Sequence, residues 1–266
     1  MRISFIICYS STWPMTVFDK RDWPEIKPDL DQAILSHTNK LIDQILSVDL
    51  NVEIILIDNS GDFKLNTDDD RVKVLDGLKV ITNLEKRNQA EVTAMAYNLG
   101  IEAATGDYFI IQHNDIWYLD NYYPMHKLLI DAIGLLEEDN LQYITIDAKP
   151  KKKVAELEGS FFADCYWFLC RNNFYSKHNI DIGYELGDNN HDATKICREK
   201  NLKFLHLPGY YEVGLGRYYR DTLRKNYPGL NRIKNNIHSF NEIPFLVHVK
   251  GGTGLKNFIN HYDIIN

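Results

Sequence analysis

The sequence predicts an α/β protein, a mostly parallel sheet flanked by helices with a C-terminal extension. Two observations predict it. Short apolar runs alternate with helical patterns along the first 209 residues. A chain of 266 residues can also bury a full core as one large domain, and no Pro-, Gly- or Ser-rich linker divides it. The expected boundaries are a domain over 1–209 and an extension over 210–266 packed on the same domain.

The elements follow in order. Ile3 to Tyr9 is a first buried strand, followed by a loop with two Trp-Pro pairs, Trp13-Pro14 and Trp23-Pro24. Ala33, Ile34, Leu41, Ile42 and Ile45 recur at helical spacing and predict a helix from Asp31 to Leu46. Val52 to Asp58 is a second strand, stopped by Asn59-Ser60-Gly61-Asp62, and Leu78 to Asn83 reads as a third. Ala90 to Ala104 is a helix closed by Gly106 just past its end. Tyr108 to Gln112 is a fourth strand, leading into His113-Asn114-Asp115 and an aromatic loop. A helix near Pro124 to Leu136, strands at Gln142 to Asp147 and Phe161 to Cys170, a helix from His191 and a strand ended by Pro208 complete the domain.

Bulk properties exclude several classes. A net charge of −7 gives no reason to expect a nucleic-acid partner. The opening apolar run is short for a leader or a membrane span and reads as a strand. Cys8, Cys165, Cys170 and Cys197 fit neither a zinc spacing nor a disulfide framework. A cytoplasmic, reducing location is expected. The basic loop Lys149 to Lys153 reads as a solvated turn.

In an open α/β sheet, ligands bind beyond the carboxyl ends of the strands. Those ends carry Tyr9-Ser10-Ser11, Asp58-Asn59-Ser60, Asn83 and His113-Asn114-Asp115. One polar residue after a strand is usually a turn former. Four such ends, two with carboxylates, predict a polar ligand crevice. Neither G-x-G-x-x-G after the first strand nor G-x-x-x-x-G-K-[ST] is present; Gly251 to Lys256 has the wrong spacing.

The order ISFIICYSS, VEIILIDNSGD, AMAYNLGIEAATGDYFIIQHND resembles the nucleotide-sugar-binding half of a GT-A fold, family 2-like glycosyltransferase. NLGIEAATGDYFII is its most specific piece. The resemblance covers residues 1–120 well, 160–210 loosely and 211–245 hardly at all. It implies that Ser10 and Asp58 line the base and ribose pocket of a nucleoside diphosphate sugar, and that Asn98 lies near that donor. It sets His113-Asn114-Asp115 at the place of the metal-binding D-x-D, with His113 replacing the first carboxylate and Asp115 kept as metal ligand. A divalent ion bridging the phosphates stabilises charge on the leaving nucleoside diphosphate. His248, before Lys250-Gly251-Gly252-Thr253, resembles the late histidine of the family and becomes the second ligand. The plainer reading of His248 is a core histidine at a strand end.

The same resemblance places the family's acidic pair, counted back from Pro208, on Asn189-Asn190. That leaves Asp192 as the favoured general base, Asp188 as second and His191 as third. Asp188 or Asp192 could equally cap the helix. Arg217 to Lys234 holds six basic residues, one acidic residue and three tyrosines. It reads as a solvated helix face, a diphosphate cover or a peripheral membrane contact.

The expected function is Mn²⁺- or Mg²⁺-dependent transfer of a sugar from a nucleoside diphosphate sugar, UDP-linked by preference. The acceptor is a glycan or lipid-linked hydroxyl, and inversion is favoured. The alternatives are a non-catalytic relative that binds nucleotide sugar or glycan, and a sugar-phosphate nucleotidyltransferase. The latter needs a Gly-rich phosphate loop that Cys8 to Met15 lacks.

Overall fold

The computed structural model describes residues 1–10, 23–79, 89–148, 162–183, 190–207, 225–227 and 236–248. The first half runs β1 (Arg2–Tyr9), α1 (Trp23–Leu46), β2 (Asn51–Asp58), β3 (Val72–Asp76), α2 (Gln89–Ala103), β4 (Tyr108–His113) and β5 (Ile116–Tyr118). The second half runs α3 (Met125–Glu138), β6 (Tyr143–Ala148), β7 (Phe162–Arg171), α4 (Phe174–His178), α5 (His191–Glu199), β8 (Leu205–Leu207), β9 (Asn236–Phe240) and β10 (Ile243–His248).

Seven strands form the main sheet in the order β3-β2-β1-β4-β7-β6-β8. All neighbours pair in parallel except β7, which is antiparallel to both β4 and β6. The expected mostly parallel α/β sheet is therefore present. Both faces are covered, which is why β1 and β2 are apolar along nearly their whole length. Ile3, Phe5 and Ile7 of β1 pack with Ile34, Leu41 and Ile42 of α1 and Leu128 and Leu129 of α3. Ile6 faces the other way, toward Ala94 and Tyr97 of α2. A Cβ on Gly100 would collide with Ile6 and Ile57, so glycine lets α2 lie directly on the sheet.

The chain enters at the middle of the sheet, builds outward through β2 to β3, then crosses to the other side of β1 as β4. The carboxyl ends of β1 and β4 thus lie at a topological switch point, the place where open α/β sheets bind their ligands. Cys8 pairs with His113 at that end.

Several elements differ from the sequence reading. The third strand described is Val72–Asp76; Gly77–Lys79, where the expected strand begins, is a 3₁₀ turn, and 80–83 lie outside the described residues. β3 sits at the sheet edge and is largely exposed, so it lacks the apolar run that marks its neighbours. Helix α1 starts at Trp23, with Pro24 in its first turn where a missing N–H costs nothing. Gly106 serves less as a helix stop than as a close approach. Its N–H donates to Ser4 Oγ, and a Cβ would sit 2.5 Å from that oxygen.

The larger difference is a second sheet of three antiparallel strands, β5-β10-β9. β9 and β10 form a hairpin turned by Asn241 and Glu242, both at positive φ (49° and 64°), the geometry that twisted two-residue turns require. β10 then pairs with β5, the short strand right after Asp115. Segments far apart in sequence are thereby stitched together at the switch point. Among the described residues, no helix is long and apolar enough to cross a membrane.

Candidate metal centre

The sheet pairing alone brings the site together. In the β5–β10 ladder His248 lies opposite Ile116, one residue beyond Asp115. His113 ends β4 two residues before Asp115. One ligand-capable atom each from His113, Asp115 and His248 falls within 4.8 Å of the others. His248 Nε2 is 3.4 Å from Asp115 Oδ1, and His113 Nδ1 is 3.7 Å from it. For comparison, tetrahedral ligands at bond lengths of about 2.1 Å stand about 3.4 Å apart.

The chemistry of the three groups suits a cation. Asp115 and His248 are buried, 7% and 3% exposed. Burial alone would raise the Asp115 carboxyl. The neighbouring His248 foremost, then His113 and His37, outweigh it and hold the group below the usual range, as a carboxylate. Desolvation lowers His113 to about 4, against the pull of Asp115, so its ring is neutral near pH 7 and keeps a lone pair for a metal. Asp115 Oδ1 and His113 Nε2 are both buried with no hydrogen-bond partner among the described residues. Leaving a buried polar atom unsatisfied costs about 1–3 kcal/mol. An ion among the three side chains would satisfy the carboxylate oxygen, so the residues present fit a divalent cation.

Surrounding residues fix the three in place. The Tyr166 ring of β7 packs against both His113 (4.5 Å between centroids) and His248 (4.1 Å). Tyr97 of α2 stacks on His113 at 6.3 Å and donates its hydroxyl proton to Gln112 O. Helix α1 grips the segment that follows. His37 Nε2 lies 2.9 Å from Ile116 O, Asn114 Nδ2 donates to Thr38 Oγ1, and Gln44 exchanges hydrogen bonds with the Tyr118 backbone. Desolvation lowers His37 to about 4, so the ring is neutral and Nε2–H is the donor to the Ile116 carbonyl. Sequence reading named Asp115 and His248 as ligands and set His113 among the donor-binding residues; it did not single out Tyr166 or His37. Their only sequence signal was membership of an apolar strand and a helix face.

The remaining site residues divide. Ser10 sits half-buried at the crevice, accepting a 3.4 Å hydrogen bond from Ser60 Oγ. Tyr9 is 1% exposed, and its ring packs edge-on against Phe63 at 4.8 Å. Asp58 is largely committed within its own loop. Its Oδ1 accepts the N–H groups of Ser60 and Gly61, and its Oδ2 accepts that of Phe63. It anchors its own loop, with one of about four lone pairs left over. It also lines a 590 Å³ cavity with Gly61, Val74, Leu75, Asp76 and Leu78. The Asn98 amide is latched both ways to the Ile182 backbone. Asn114 holds the loop through Thr38, as above. Asn83 and Asp188 lie outside the described residues, as does most of 217–234.

Among the candidate bases, Asp192 lies in the first turn of α5 and lines a 470 Å³ cavity between α2 and α5 with Asn98, Gly183, Lys195 and Glu199. His191 is 3% exposed, which keeps its ring from a hydroxyl on the solvent side. Asn190, at the place expected for the acidic pair, is buried and accepts the Tyr175 hydroxyl proton.

No family profile and no curated protein matches the sequence. Solved structures do resemble it. A mannosyltransferase from Pyrobaculum calidifontis, solved with GDP-mannose and Mn²⁺, aligns with TM-score 0.47 and 12% identity over 84% of this chain. This chain spans 60% of that protein's length. Glucosyl-3-phosphoglycerate synthase from Mycobacterium tuberculosis, with Mn²⁺, UDP and glucosyl-3-phosphoglycerate, aligns with TM-score 0.46 and 12% identity over 77% of this chain and 70% of its own. A putative nucleotide-diphospho-sugar transferase from Desulfovibrio desulfuricans aligns with TM-score 0.45 and 13% identity over 99% and 96% of the two chains. Likeness at this level assigns neither activity nor substrate.

Proposed function

We propose that this chain is a divalent-metal-dependent glycosyltransferase that uses a nucleoside diphosphate sugar, UDP-linked by preference. Its acceptor would be a glycan or lipid-linked hydroxyl. One observation carries the reading: His113, Asp115 and His248 converge at the topological switch point of the sheet, the latter two buried and one Asp115 oxygen without a hydrogen bond among the described residues. A diphosphate needs a cation, and a nucleotide needs the crevice that this switch point opens. When bound, a divalent ion would offset the negative charge that grows on the departing diphosphate.

The chain's own residues supply the rest. Ser10 and the loop anchored by Asp58 form the β1 and β2 side of the crevice, where the nucleoside would lie. Asp115 and His248 would hold the ion, which would offset charge at the diphosphate end. Asp192 faces a cavity wide enough for an acceptor and is the proposed general base, taking the proton of the attacking hydroxyl in an inverting transfer. Asp188 remains the alternative acid.

A second reading has its own observation. Asn190 stands where the acidic pair is expected, and its side chain is committed to Tyr175. A chain without a base there would bind nucleotide sugar without turning it over. Donor hydrolysis and transfer with Mn²⁺ across UDP-, GDP- and dTDP-sugars decides between them. The enzyme reading expects turnover with at least one donor, lost by about 10²–10⁴-fold in Asp192→Asn with nucleotide binding retained. Binding without turnover of any donor would establish the binding module. Parental transfer rates in both Asp192→Asn and Asp188→Asn would refute the inverting base.

A further inference from the structure

We infer that His113 is a third protein ligand, so that the site holds a transition-metal ion before any nucleotide arrives and rejects Mg²⁺. The inference deepens the metal-dependent reading above and rests on it for the ion's role, but not for the ion's presence.

The geometry supplies the first reason. Asp115 Oδ1 lies between two imidazoles, 3.7 Å from His113 Nδ1 and 3.4 Å from His248 Nε2. A plain His113–Asp115 hydrogen bond would be near 2.9 Å. The observed spacing is instead that of two ligands sharing one ion. Second, the oxygen between them is buried with no hydrogen-bond partner among the described residues. A histidine present only to neutralise the aspartate would have closed that gap. Third, the site is rigid before any ligand binds. His113 and Asp115 flank a loop held by Thr38 and His37, His248 is set by the β5–β10 ladder, and Tyr166 packs on both histidines. Preorganised ligands lose little freedom on binding.

The donor set then determines the ion. Mg²⁺ demands oxygen ligands and keeps most of its waters. Two imidazole nitrogens and one carboxylate suit Mn²⁺, Fe²⁺, Co²⁺ or Zn²⁺. Three protein ligands leave positions open, and the bound ion carries one net positive charge after Asp115. Both features favour a diphosphate oxygen as the next ligand. Replacing an aspartate of the D-x-D pattern by His113 thus moves the site from a joint metal–nucleotide site toward a resident metal.

The test uses the full chain, stripped with chelator and free of nucleotide, titrated with Mn²⁺ and followed by electron paramagnetic resonance. One Mn²⁺ per chain should bind, should resist a hundredfold excess of Mg²⁺, and should show two coordinated imidazole nitrogens in pulsed spectra. His113→Gln should weaken binding by at least about tenfold. His113→Asp should keep an ion but let Mg²⁺ compete. The pulsed spectra of the parent carry the test if a variant fails to fold. One imidazole nitrogen, free exchange with Mg²⁺, or Mn²⁺ uptake only after UDP or GDP is added would overturn the inference and leave glycosyl transfer standing. A resident ion in a chain that turns over no donor sugar would support the inference and refute the transferase.

Discussion

The ends of β2 and β4 both turn on an aspartate, and the two are equally buried at 7% exposed. Their surroundings are opposite. Asp58 receives three backbone N–H groups from the five residues that follow it, and its carboxylate is closed into its own loop. Asp115 keeps Oδ1 without a hydrogen bond and faces two imidazoles brought from elsewhere in the chain. The difference is one of satisfaction, not of burial or residue type. A strand-end carboxylate whose acceptors are filled locally is architecture. One left open among imidazole nitrogens is poised for a cation.

Four substitutions or conditions test that contrast. Asp115→Ala should have the largest effect, lowering Mn²⁺-stimulated donor hydrolysis by at least about 10²-fold, since it removes the charged ligand. In chelator its melting temperature should change little, because the attraction of the neighbouring histidines already offsets the desolvation of the carboxylate. Thermal melts and hydrolysis rates on the same preparations check both halves. A variant that melts lower and still responds fully to Mn²⁺ would reverse the two roles.

Asp58→Ala should do the converse. Three charge-assisted hydrogen bonds vanish and leave three loop N–H groups to find water. A loss of about 3 kcal/mol in urea unfolding is expected. Nucleotide-free Mn²⁺ binding should stay within about twofold of the parent in the folded fraction, since the charge lies on the other side of β1. Undiminished stability would mean that the loop does not depend on the carboxylate.

Acid should act on the β4 side of the contrast through its buried histidines. His37 has its folded value lowered to about 4, by desolvation foremost, while an unfolded histidine titrates near 6.5. The unfolded chain therefore binds more protons between these values. Stability is complete above pH 6.5 and falls as pH drops toward 4, by roughly 3 kcal/mol at 1.36 kcal/mol per unit. Urea midpoints in chelator across that window should follow this slope, and His37→Gln should flatten it. A slope unchanged in His37→Gln would assign the acid sensitivity elsewhere. His238, lowered to about 3 by burial, adds to the same trend.

Thr38→Val should have the smallest effect. It removes the acceptor for Asn114 and costs about 1 kcal/mol of stability. Looser placement of the loop should weaken Mn²⁺ binding a few-fold with no change in ion preference. Calorimetry on the variant checks the affinity, and a loss as large as that of Asp115→Ala would mean that Thr38 does more than hold the loop.

What the sequence revealed follows the strength of its local signals. β1, β2 and β4 are buried on both faces and stand out as apolar runs, and the carboxylates at their ends mark the crevice. β3 was misplaced because an edge strand has little buried surface to encode. The β9–β10 hairpin was hidden for a related reason: its turn is Asn241-Glu242, without the glycine that usually advertises a two-residue turn. His248 was therefore legible as a residue but not as the partner of β5, which depends on long-range pairing. The commitments of Asp58 and Asn98 were equally out of reach. Nothing in Asp58-Asn59-Ser60-Gly61 says whether the loop folds back onto the carboxylate, and the partner of Asn98 lies 84 residues away.

The most direct measurement is the anomalous diffraction of crystals soaked in Mn²⁺ without nucleotide, recorded at the manganese edge. The account predicts one strong peak, bounded by His113, Asp115 and His248 and within bonding distance of all three. A peak that omits the Asp115 carboxylate, or no peak at the end of β4 while Mn²⁺ binds elsewhere on the chain, would contradict it.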